Sequence, residues 1–100
     1  IPNPEPLKTP QEKELEKEWQ QRKEKERRLR KLRKTLEEME QKIEETEQAL
    51  AMVNDKLSQP DRYAEEMKDG TLYKKHSRLR EQLDAFYARW EEFQIKLEEG

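Results

Sequence analysis

Nine cationic side chains crowd residues 22–34: Arg22, Lys23, Lys25, Arg27, Arg28, Arg30, Lys31, Arg33 and Lys34, opposed only by Glu24 and Glu26, for a local charge of +7. The chemistry open to such a band is electrostatic. Guanidinium and ammonium groups displace counterions from phosphates and hold their oxygens without reading sequence. On a helix, Arg27, Lys31 and Lys34 share one face, as do Lys23, Arg27 and Arg30, so the band can follow a phosphate backbone. The competing interpretation is a solvated helix partly neutralised by Glu98 and Glu99. The rest of the chain is acidic: residues 35–57 carry −5, residues 1–21 and 61–100 carry −2 each, and the whole chain carries −2. A basic band of this kind suits phosphate, an acidic protein or the chain's own acidic face.

Other reactive groups are poorly placed for catalysis. Glu37–Glu38 and Glu44–Glu45 are carboxylate pairs, but acid/base work needs a shielded pocket to shift their pKa values, and a thin rod offers none. His76 is the single histidine and there is no cysteine, so neither a disulfide framework nor a thiolate metal site is expected. A phosphate loop needs several glycines followed by Lys-Ser/Thr, and Gly70 and Gly100 are the only glycines. The chain reads as non-enzymatic, with no cofactor of its own.

The elements that carry these residues follow from apolar spacing. Leu29, Leu32, Leu36, Met39, Ile43, Thr46, Leu50, Val53 and Leu57 alternate by three and four residues. So do Leu72, His76, Leu79, Leu83, Phe86, Trp90, Phe93 and Leu97. This is the seam of a coiled coil. Hydrophobic residues make up only 30% of the chain and charged residues 46%, too few apolar groups for a thick core but enough for a two-helix seam. The predicted fold is all-α: an antiparallel two-helix coiled-coil hairpin over 10–100 with a short helical turn at its tip.

Its parts have local signals. Residues 1–9 form a Pro-rich linker, with Pro2, Pro4 and Pro6 opposing helix. Thr9-Pro10-Gln11-Glu12 is a capping box with proline in the first turn, and it starts a helix over 10–57. Ser58-Gln59-Pro60-Asp61 opens a turn and short helix over 58–70, with Ser58 as its cap and Gly70 as its left-handed stop. Thr71 is expected to cap a second helix over 71–98. In the resulting register Leu50 faces Leu79, Ile43 faces Phe86, Met39 faces Trp90 and Leu32 faces Leu97. Glu40 is then expected near Arg89, Asp55 near Lys74 or Lys75, and Arg30 or Lys31 near Glu98 and Glu99.

Phe86, Trp90 and Phe93 belong to the seam rather than to a base-stacking platform. Trp19 differs: it precedes the regular seam, beside the basic band, with no partner assigned in the second helix. No stretch approaches the ~20 apolar residues that span a bilayer, and no signal peptide is visible. A start at Ile1 without methionine is expected of a segment cut from a longer protein.

The segment from about Leu57 to Leu97 resembles the C-terminal domain of ABC-F (Uup-like) ATP-binding cassette proteins, and the resemblance extends back to Leu29. The resemblance lies in Leu57, Pro60, Asp61 and Tyr63 at the turn, and in Leu79, Leu83, Tyr87, Arg89, Trp90, Glu91 and Glu92 in the second helix. It implies a cytoplasmic parent ATPase whose separate nucleotide-binding domains use ATP and Mg²⁺. It also implies a ribosome or nucleic-acid partner (rRNA, tRNA or DNA) for the coiled-coil arm, and it favours phosphate binding by the basic band. The alternative is a structural coiled coil that docks on the parent's nucleotide-binding domains or on another protein through Leu15 and Trp19. The arm itself is expected to be a monomeric hairpin.

Overall fold

The computed structural model describes residues 9–100. The linker expected over residues 1–9 therefore lies outside the described residues except for Thr9. Helix α1 (Pro10–Leu57) is 48 residues long, α2 (Ala64–Met67) is a single turn, and α3 (Thr71–Glu99) returns along α1. The molecule measures 89 × 29 × 16 Å, which suits a rod two helices wide.

α1 starts where its local chemistry dictates. Thr9 Oγ1 accepts from the Glu12 backbone N–H at 3.2 Å, and a Glu12 carboxylate oxygen accepts from the Thr9 N–H at 3.3 Å. Two donors that a helix start leaves orphaned are thereby satisfied. No glycine or further proline interrupts α1 before Leu57.

Every residue of both apolar runs is buried or half-buried. Ile43, Leu50 and Leu83 form the centre of the core, with Leu79, Phe86 and Trp90 packed around them. Thr46 is buried in the seam because its hydroxyl donates to the Lys42 carbonyl at 2.7 Å, which removes the cost of an unpaired polar group. Beside the seam, the Trp90 indole Nε1 donates to Glu40 at 3.1 Å, and the Tyr87 hydroxyl donates to Glu47. These bonds link α1 and α3 in antiparallel register. Glu40 thus pairs with Trp90, not with Arg89, because the indole N–H reaches it from the seam.

Two turn assignments are corrected by the structure. Ser58 does not cap the short helix. It closes α1, donating its N–H to the Asn54 carbonyl at 3.0 Å and its hydroxyl to the Asp55 carbonyl at 2.6 Å. The last carbonyls of a long helix need donors, and Ser58 and Gln59 both supply one to the Asp55 carbonyl from their side chains. The chain then reverses over Pro60, with the Arg62 N–H donating to the Gln59 carbonyl at 3.1 Å. α2 begins later, after Tyr63, and has no side-chain cap. Lys56 fastens it to α1 through Glu66 at 2.9 Å, and that hydrogen bond, reinforced by the carboxylate's charge, raises the Lys56 pKa.

Thr71 is likewise not a cap but the first residue of α3. Its N–H donates to Asp69 Oδ1 at 2.9 Å across Gly70, which sits in the left-handed region at φ 76°. A carboxylate two residues ahead closes an Asx-type turn and places a negative charge at the positive end of α3. The Thr71 backbone N–H is also the main reason the Asp69 carboxyl is held below the usual aspartate range.

Three outcomes are expected. Leu83→Asp puts an unpaired charge into the seam and should cost about 3–5 kcal/mol, abolishing the cooperative thermal transition seen by circular dichroism, whereas Leu83→Met should cost less than about 1.5 kcal/mol. Gly70→Ala meets no atom within 4 Å, so only the backbone conformation opposes it, by about 1 kcal/mol in a urea titration. The depressed Asp69 pKa gives stability that is present above the unfolded aspartate pKa and lost as pH falls through the folded value. Melting temperature measured against pH should accordingly fall less steeply on the acid side in Asp69→Asn than in the unchanged chain.

Candidate nucleic-acid interface

The basic band occupies α1 where the seam begins. Arginine and lysine are good helix formers, and Glu24 and Glu26 precede Arg28 and Arg30 by four residues, the favourable order on a helix. Leu29 and Leu32 are half-buried and Leu36 is buried, which sets the direction of α3; all nine cations are exposed. Among the described residues, no side-chain carboxylate comes within 4.0 Å of any of the nine. The band's charge therefore faces solvent without direct neutralisation.

The nine cations do not share one environment. At 100° per residue, Lys23, Arg27, Arg30, Lys31 and Lys34 fall on the side of α1 away from α3. Arg27, Arg28, Arg30, Lys31 and Lys34 wall an open depression of about 510 Å³. Arg28 lies at its edge and turns toward the end of α3, donating to the Gly100 carbonyl oxygen at 3.1 Å. The Lys25 ammonium also approaches that end, 3.6 Å from where a Cβ on Gly100 would lie. The final carbonyls of α3 lack helical partners and carry the negative end of its dipole, so cations gather there. Thus Arg28 and Lys25 meet the end of α3, while Arg30 and Lys31, expected near Glu98 and Glu99, form no ion pair with them. Arg33 lies on a flank of α1, and Arg22 lies beyond the end of α3.

α1 continues past α3 toward its own start. In this overhang Leu15 is 64% exposed and Trp19 is 50% exposed. The Lys23 ammonium sits 4.2 Å from the centre of the Trp19 ring, a cation–π contact between residues four apart. Reading the seam alone left Trp19 without a partner; the signal for this contact was the four-residue spacing from an aromatic to a cation.

Glu37, Glu38, Glu44 and Glu45 are exposed along α1, and His76 is half-buried in the seam. Among the described residues, no group of three His, Cys, Asp or Glu side chains could hold a metal ion. Gly70 lies between α2 and α3, and Gly100 sits at the C-terminal cap of α3. The all-helical hairpin is not a catalytic ATPase fold. Among the described residues, no helix is long and apolar enough to cross a membrane.

The curated proteins and the solved structures searched each give no match. A family model, described as ABC transporter C-terminal domain, matches residues 27–94. That span contains six of the nine cations, from Arg27 to Lys34, together with the tip and most of α3. Seam, reversal and family match cover the same stretch, and the chain belongs to the ABC transporter C-terminal domain family.

Proposed function

We propose that the hairpin is the non-catalytic C-terminal arm of an ABC-F ATPase and binds the phosphate backbone of nucleic acid through the outward face of α1. The observation that carries this reading is the set of exposed cations Lys23, Arg27, Arg30, Lys31 and Lys34, with no side-chain carboxylate within ion-pair distance among the described residues. Nine positive groups on a solvated helix repel one another, and a polyanion relieves that repulsion while releasing its own counterions.

The rest of the rod supports the assignment. The cations sit on one continuous helix, α1, so the backbone that spaces them need not be ordered on binding. Residues 35–57 carry −5 and repel phosphate, which confines contact to the basic end. In this reading ATP and Mg²⁺ belong to the nucleotide-binding domains of a cytoplasmic parent, and the arm reaches rRNA, tRNA or DNA in ribosome-associated work.

The test is fluorescence anisotropy of labelled structured RNA and duplex DNA with the 100-residue chain over a salt series. Engagement of four to five phosphates predicts a slope of log K against log salt of about −4. A variant carrying Arg27→Glu, Arg30→Glu, Lys31→Glu and Lys34→Glu spares Arg28 at the end of α3. It should retain its helical circular dichroism while losing at least ~100-fold in affinity and most of the salt slope. Equal binding by the variant, or no binding by the unchanged chain at low salt, overturns the reading.

A further inference from the structure

Trp19, Lys23, Arg27, Arg30 and Lys34 are separated by four, four, three and four residues. That is the spacing of a single row along an α-helix, distinct from the row Leu29, Leu32 and Leu36 that faces α3. The row thus begins with an aromatic ring and continues with four cations, all of them exposed. It extends over about 22 Å at 1.5 Å per residue. Trp19 lies in the overhang beyond the end of α3 and keeps half of its surface exposed. The Lys23 ammonium against its ring joins the aromatic and cationic parts of the row.

An indole on a cationic track offers something that the cations cannot. In a duplex the bases are stacked on one another, and a helix lying on the outside meets phosphate and sugar. In an unpaired strand each base has an available face, and an aromatic side chain beside a positive track can stack on it without preference for sequence. Resting on the phosphate-binding reading above, we infer that the row from Trp19 to Lys34 is a site for single-stranded nucleic acid. Trp19 stacks on an unpaired base, and Lys23, Arg27, Arg30 and Lys34 hold the phosphates that follow. The site reads strandedness rather than sequence, because every base has a π-face and every nucleotide a phosphate.

The test compares a short labelled oligothymidylate with a blunt duplex having the same number of phosphates per strand. Both are titrated against the 100-residue chain by fluorescence anisotropy. Trp19→Ala should weaken binding of the single strand roughly tenfold, which is what one stacked base contributes. It should change duplex binding less than about twofold, since the phosphate contacts remain. Trp19→Phe should restore most of the single-strand affinity, because a phenyl ring also stacks. Circular dichroism should be unchanged in both variants, Trp19 lying outside the seam. Equal loss for single strand and duplex, or no loss for either, overturns the stacking role while leaving the phosphate track standing. Unchanged binding of both oligonucleotides in the four-fold Glu variant overturns the phosphate reading itself, and the inference with it.

Discussion

The hairpin is held along one narrow apolar stripe, and everything else follows from that stripe. Two helices with 30% hydrophobic residues cannot enclose a thick core, and among the described residues no side chain is completely buried. Ile43, Leu50 and Leu83 at the centre, with Leu79, Phe86 and Trp90 around them, carry the packing. A seam this thin has little redundancy, because each apolar position meets only the facing helix. Hydrogen bonds at its margins, from Trp90 to Glu40 and from Tyr87 to Glu47, add cross-helix links that resist sliding of α3 along α1. They use the polar ends of residues whose rings already contribute to the seam or lie against it.

Because the interior is so small, nearly all of the chain's chemistry is on the surface. The charges there are segregated. The basic band lies where the seam begins, the acidic stretch follows it along α1, and the tip is tied by the Lys56–Glu66 pair. The end of α3 divides the band in two ways. It bonds Arg28 through the Gly100 carbonyl with Lys25 nearby, and the earlier part of α1 extends past it. The projecting part carries Trp19 on the side shared with Lys23 and Arg30, where a polyanion approaching the band would meet it.

The ABC transporter C-terminal domain family match spans the basic half of the seam, the tip and most of α3. A rigid rod with one charged end is suited to placing a contact at a fixed distance from whatever it is attached to. In the proposed function the rod supplies reach and orientation, while affinity would come from groups on a single helix face. Since phosphate binding needs neither a pocket nor a buried charge, a two-helix hairpin is sufficient scaffold for it.

Much of the fold was legible because its determinants are local. The capping box of Thr9 and Glu12, the alternation of three and four along both seams, and the reversal at Pro60 each depend on residues a few positions apart. The composition of the basic band was equally plain. What sequence alone left open was the choice between competing partners. Ser58 closes α1 instead of opening the short helix, Thr71 is the first residue of α3 with its N–H bonded to Asp69 instead of being its cap, and Glu40 binds Trp90 rather than Arg89. Each has several partners within reach along the chain, and the three-dimensional path decides which one arrives with a donor. The same holds for the band. The sequence by itself determined that nine cations lie on one helix; only the tertiary structure decided that Arg28 bonds to the end of α3 while Lys23, Arg27, Arg30, Lys31 and Lys34 lie on the side away from it. The physical reason is that a side chain's position around a helix depends on its spacing, but its partner depends on where the other helix stops.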